Sequence, residues 1–387
     1  MEPAVRGEVR GLWVVRNSLT SPTAIEKMVA DARAARINTL VVQVRGRGDA
    51  YYRSRWEPRA HALLDQPDDF NPLALVIARA HAAGIRVHAW INTHLIGNLA
   101  DLPRDGEHIF VKHPEWLGVP RDAAEELYSM DPRDPRYRDR IVRVSQGNLS
   151  ELEGVYTSPA HPGVQDHISN VFRDLVENYD VDGVHFDYVR YPNPDFDYSR
   201  TALERFQKAV RPTLSETEKL KLDQLAPAHP LVYTEMFPAL WDQFRRDQIT
   251  ALVSRVYREV KARKPRVQVT AAVFANDDDA FYRRFQDWRG WLERGILDAI
   301  CPMAYTADTD VWKRQIAIAR GFSFGRQVWA GIGAYRQPPE CALEKIDLAR
   351  RIGVEGVIFF SYGQMVSPSA WAPAGDYLRR IGTEAFP

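Results

Sequence analysis

The chain has 387 residues, 45% of them hydrophobic and 26% charged, with 51 basic residues against 51 acidic ones. That length suits one large α/β barrel or two smaller domains, and a formal net charge of +0 argues against the basic stripe of a nucleic-acid binder. No apolar run is long enough to span a bilayer.

The two cysteines, Cys301 and Cys341, make neither a disulfide framework nor a zinc pattern and read as unpaired structural thiols. The opening stretch "MEPAVRGEVRGLWVV" lacks the apolar core of an export signal, which leaves cytoplasmic and exported locations both open. "NLS" at Asn148 fits a glycosylation acceptor triplet.

In chain order, apolar strands alternate with amphipathic helices. Strands are predicted at residues 10–15, 37–45, 84–92, 182–190, 267–274, 298–305, 327–335 and 353–362. Between them lie helical stretches such as "SPTAIEKMVADARAAR", "NPLALVIARAHAAG" and "PGVQDHISNVFRDLVENY". Several begin with a Ser or Asn cap followed by Pro. Eight near-continuous apolar strands with intervening helices predict an α/β fold, a (β/α)8 TIM barrel. The expected organisation is a single barrel domain over 1–387, with its core at about 9–365. An open doubly wound sheet is the rival, weakened by the lack of a Gly-x-Gly-x-x-Gly run after an early strand. Two long connections, 93–163 and 192 to about 240, follow the third and fourth strands and are expected over the C-terminal mouth.

Strand parity then selects the site. Alternate residues of a strand face opposite sides. In "VDGVHFDYVRYP", Val184, Phe186 and Tyr188 share the apolar face that belongs against helices, so His185 and Asp187 point into the barrel. The third strand likewise opposes Arg86, His88, Trp90 and Asn92 to Val87, Ala89 and Ile91. The second opposes Gln43 and Arg45 to Leu40, Val42 and Val44. Polar groups on three strands thus converge near their C-terminal ends, where barrel enzymes build their sites.

A carboxylate beside Arg, Asn, His and Trp suits glycoside cleavage, with hydroxyl donors and an aromatic platform for a sugar face. A metal site using His88, His185 and Asp187 is the competing chemistry. Plain hydrogen-bonding roles are open to each histidine, so no metal and no cofactor is expected.

These motifs resemble the glycosyl hydrolase-like 10 family: "RGLWVV", "NTLVVQVRGRGDAYYRS", "AHAAGIRVHAWIN", "HPEW", "SPAHPGVQDHI", "DGVHFDYVRYP", "LDAICPMAY" and "GVIFFSY" occur in order from about 9 to 365. The resemblance implies a barrel glycoside hydrolase acting on a polysaccharide such as bacterial cell-wall glycan. It implies Asp187 as the key carboxylate, nucleophile or base, with Arg45, Asp49, Trp90, Asn92 and His185 around it. His88, Tyr188, Arg190 and Tyr305 complete the candidate sugar-contacting set. Many relatives carry tandem acids, His-Phe-Asp-Asp-Tyr, where this chain has Tyr188 after Asp187, and relatives are typically exported.

A second carboxylate is required, roughly 5–5.5 Å from the first for retention or about 6.5–9.5 Å for inversion. Candidates are Glu235, whose apolar and aromatic flanks would raise its pKa as an acid requires, and Asp277 or Asp278 in "FANDDDAFY". Asp279, Asp308 and Asp310 are further acids on the same face. A non-catalytic carbohydrate-binding barrel is the alternative from a different class, and a metal-dependent hydrolase a third.

Overall fold

The computed structural model describes residues 7–147 and 152–386; Asn148 of the glycosylation triplet lies outside the described residues. Among the described residues ten strands occur in chain order: β1 (Val9–Val14), β2 (Thr39–Arg45), β3 (Arg86–Asn92), β4 (Leu95–Gly97), β5 (Val155–Tyr156), β6 (Gly183–Asp187), β7 (Gln268–Val273), β8 (Ala299–Pro302), β9 (Gln327–Gly333) and β10 (Gly356–Phe360). Eight of them close a parallel barrel in the order β1-β10-β9-β8-β7-β6-β3-β2. These are the eight strands expected from the sequence. The other two, β4 and β5, pair antiparallel inside the first long connection.

The helices begin where local chemistry starts them. Ser21 and Asn71 each accept the backbone N–H of the third residue of their helices, and each is followed by Pro. Both helices then bury an apolar stripe against the barrel. The helix Pro162–Asn178 is the one that bears on the site. Its Val164, Ile168, Val171, Phe172 and Leu175 are buried, and the Phe172 ring lies 4.4 Å from that of Phe186 on β6. Burying each such side chain contributes about 1.5–3 kcal/mol. This seats Val184 and Phe186 outward and obliges His185 and Asp187 to face in.

The barrel encloses its own small core, built from Trp13, Val41, Trp90, Cys301, Trp329 and Ile358 among others. His185 belongs to this layer. It is fully buried, accepts from Trp13 Nε1 at Nε2 (3.3 Å) and meets Thr270 Oγ1 at Nδ1 (2.8 Å). Burial, reinforced by His88, holds its pKa well below the ordinary value, so the ring is neutral. His88 sits deeper, edge-on to Trp329, with its pKa pushed down to about 3 by burial.

His88 fits only because β6 begins with Gly183, where any Cβ would collide with the imidazole. Gly183→Ala is therefore expected to cost about 1–3 kcal/mol through overpacking. A urea midpoint unchanged from the parent would show that the ring has room to move.

Candidate active site

Parallel pairing sets Asn92 level with Asp187 and Trp90 level with His185. Asn92 and Asp187 therefore end their strands together at the C-terminal mouth. There a cavity of about 530 Å³ is lined by Trp13, Gln43, Trp90, Asn92, Glu153 and Asp187. Tyr188, Arg190 and Tyr305 also line it.

Asp187 is 7% exposed, and its Oδ1 accepts from the Tyr188 backbone N–H at 2.7 Å. Burial raises its pKa; Arg190 and that N–H oppose the rise without cancelling it. Alternation would have sent Tyr188 outward. Instead the chain leaves β6 in the left-handed region at Tyr188 (φ 49°), which brings this ring to the cavity wall. A non-glycine residue held in that region stores strain of the kind that clusters at functional sites.

Arg190 is buried beneath the Tyr188 ring, its guanidinium carbon 4.1 Å from the ring centroid. One nitrogen lies 3.7 Å from Asp187 Oδ1 and another 3.3 Å from Glu153 Oε1. One planar guanidinium thus reaches two carboxylates, which keeps their nearest oxygens within about 9.5 Å, the outer limit for a glycosidase pair.

Glu153 arrives from the long connection after β3. The β4–β5 pairing ties that loop down, and Gly154 allows it, because a Cβ there would strike the Gly97 carbonyl. The Tyr156 hydroxyl donates to Glu153 Oε2 at 2.7 Å. Burial pushes the Glu153 pKa up, but Arg190 and the Tyr156 hydroxyl outweigh it and hold the carboxyl below its usual value. The two carboxyls are driven in opposite directions, the pattern that separates an acid from its ionised partner.

The other candidate acids lie elsewhere. Glu235 sits on the helix Val232–Met236, with its side chain 40% exposed, paired to His229 Nε2 (2.8 Å) and Arg121 (3.1 Å). Those partners, His229 first, lower its pKa, the reverse of the expected rise. Asp277 pairs with Arg289, and Asp278 is exposed; neither lines the cavity. Asp308 caps the helix Thr309–Gly321.

Arg45 is also displaced from its expected place. An irregularity between Gln43 and Arg45 breaks the β2–β3 register, so Gln43 keeps the cavity while Arg45 turns into packed loops. There it pairs with Glu57 at 2.5 Å, both side chains fully buried, and donates to the Asn92 and Thr93 carbonyls. Asp49 accepts from the Arg47 backbone N–H and lines a neighbouring groove rather than the cavity. His88 and His185 do not line the cavity; both are fully buried against the core rings of Trp329 and Trp13. Trp90, Asn92, Tyr188, Arg190 and Tyr305 do line it. Sequence reasoning missed Glu153, Arg16, Arg47, Tyr335 and Phe360. Only Glu153 carried a weak signal, an acid beside Gly-Val-Tyr in a long post-strand loop.

A closed eight-stranded parallel barrel with polar groups gathered at its C-terminal mouth defines a TIM barrel. The chain belongs to the glycosyl hydrolase-like 10 family, whose model matches residues 8–150 and 143–319. It is 25% identical over 299 residues to the glycosyl hydrolase YngK of Bacillus subtilis, covering 72% of this chain and 48% of YngK. It is 24% identical over 296 residues to the glycosyl hydrolase DigH of Escherichia coli K12, covering 70% and 54% respectively. The chain thus spans about half the length of these relatives.

Among solved structures, the PgaB (BpsB) glycoside hydrolase domain of Bordetella bronchiseptica superposes with a TM-score of 0.66 at 16% identity, covering 98% of this chain and 99% of that one. The β-amylase catalytic domain of Paenibacillus polymyxa does so with 0.62 at 11% identity, covering 98% of each chain. At these identities the likeness is one of fold.

Proposed function

We propose that this protein is a glycoside hydrolase cleaving a polysaccharide, with bacterial cell-wall glycan the first substrate to test. The supporting observation is the Asp187–Arg190–Glu153 bridge in the barrel mouth. The opposed pKa directions give Asp187 the role of proton donor to the glycosidic oxygen. Glu153 is then the ionised partner, attacking the anomeric carbon or activating water there. This inverts the role expected for Asp187 from sequence and moves the second carboxylate from Glu235, Asp277 or Asp278 to Glu153. Trp90, Tyr188 and Tyr305 supply ring faces for the sugar, and Asn92 holds the cavity wall by donating to the Gly46 carbonyl at 2.7 Å.

The expected pH profile of kcat/KM is a bell. Activity falls at low pH as Glu153, lowered from its usual value, takes up a proton, and at high pH as Asp187, raised from its usual value, loses one. Reducing-end release from purified cell-wall glycan strands across pH measures this. In Glu153→Gln the acid limb should vanish together with most of the rate. A variant that keeps both limbs and full turnover would remove Glu153 from the mechanism.

A further inference from the structure

The cavity holds two cations that the cleavage chemistry does not use. Arg16 follows β1, and Arg47 follows β2; both guanidinium-bearing residues line the cavity. Among the described residues, neither guanidinium lies within the 4.0 Å of a carboxylate that defines an ion pair. Arg16 is positioned by neutral contacts. Its Nη1 donates to Gln43 Oε1 at 2.9 Å, and its stem lies over Gly46, where a Cβ would strike it. Arg47 is held by its backbone: its N–H donates to Asp49 Oδ1 at 2.9 Å and its carbonyl meets His108 Nε2 at 2.7 Å. Asp49, Asp101 and Tyr51 lie near enough to act on its guanidinium, neither of the two carboxylates as an ion pair.

The charges facing this pair are few. Asp49 and Asp101 favour the Arg47 cation from the groove side and Tyr51 adds to them, while burial first, and then Arg16, push its pKa down. Two like charges that act on one another, neither with a carboxylate in ion-pair contact among the described residues, favour an anion placed between them. Arg47 also lines the adjoining groove of about 470 Å³, where Arg59, His61, Arg104 and His108 lie opposite Asp101 and Asp105. Arg47 therefore lines both the cavity and the adjoining groove.

We infer that Arg16 and Arg47 form a carboxylate-recognition subsite, so that the substrate is an acidic glycan carrying a free carboxylate on a sugar bound beside the cleaved bond. A planar carboxylate matches the guanidinium fork, which neutral hydroxyls do not require. The inference deepens the hydrolase reading and rests on it for the position of the cleaved bond.

The test compares cell-wall glycan strands and oligogalacturonate, each as the free acid and after reduction of its carboxylates to alcohols. Turnover is followed by reducing-end release, and binding of glucuronate against glucose by calorimetry. Wild type should favour an acid form by about tenfold or more, and in Arg47→Gln and Arg16→Gln the ratio of kcat/KM on the acid form to that on the reduced form should fall to about one, whatever the absolute rates. Arg47→Lys should recover part of it.

Equal handling of acid and reduced forms by wild type overturns the subsite and leaves the hydrolase standing. So does an acid preference that survives both glutamine variants. Glucuronate binding that depends on Arg47 in a protein that cleaves nothing would sink the hydrolase and keep the subsite. Absence of any acid-sugar binding or preference overturns the subsite.

Discussion

Asp187→Asn is expected to lower kcat by about 10²–10⁴-fold on any glycan the protein cleaves, with binding near wild type. The substitution is isosteric, and its amide oxygen can still accept the Tyr188 backbone N–H that Asp187 Oδ1 accepts now. What disappears is the titratable carboxyl, whose pKa burial raises. Arg190 keeps Glu153 as a partner, so the cavity wall should stand. Reducing-end assays and calorimetry on the same glycan separate the outcomes. Undiminished turnover would remove Asp187 from the chemistry. A wild type that binds glycan but never cleaves it would instead be the carbohydrate-binding barrel, using the same aromatic shelf without a working acid.

The second large effect is on stability. Glu57→Gln is expected to cost about 3–5 kcal/mol, because it leaves the fully buried Arg45 guanidinium without its counter-charge. Glu57 Oε1 also meets His167 Nε2 at 2.8 Å, so one carboxylate serves two partners. Burial pushes the Glu57 pKa up, yet Arg45 and His167 together hold it down at about 2 against an ordinary 4.5.

A folded-state value below the unfolded one fixes the sign. The stabilisation is fully present above about 4.5 and is lost as pH falls through about 2. Urea unfolding at neutral pH and across this acid window checks both points. In Glu57→Gln the acid-side loss from this group should be absent. Equal stability of variant and parent at neutral pH would show that the pair is dispensable. Because Arg45 grips the Asn92 and Thr93 carbonyls, the variant should also loosen the strand end that carries Asn92 to the cavity.

Most of the barrel was legible in the residues, and the reason is periodicity. Val184 and Phe186 alternate with His185 and Asp187, and a strand packed against a helix must place its apolar set outward. Burial of Phe186 against Phe172 enforces that choice. The same parity carried Gln43, Trp90, Asn92 and Asp187 to the interior. It erred where the backbone leaves ideal geometry: at the β2 irregularity, which turned Arg45 away, and at Tyr188, whose positive φ turned an outward ring inward. Parity also says nothing of depth. His88 and His185 point inward as expected, but they do not line the cavity and are fully buried against core rings.

The choice among carboxylates followed a different logic. Glu235 looked like an acid because Tyr, Met and Phe flank it in sequence, but its helix turns it toward His229 and Arg121, which stabilise its ionised form. Glu153 sits in a loop with no periodicity, and only the β4–β5 pairing and Arg190 bring it to Asp187.

The sequence by itself determined the (β/α)8 barrel, the strand ends that would form its mouth, and the inward placement of Asp187, because these follow from short-range alternation and burial. Only the tertiary structure decided which acid Arg190 links to Asp187, which way each carboxyl's pKa moves, and that Arg16 and Arg47 line one cavity with no ion-pair partner among the described residues. Those facts depend on groups far apart in the chain meeting at one cavity, where their charges act on one another.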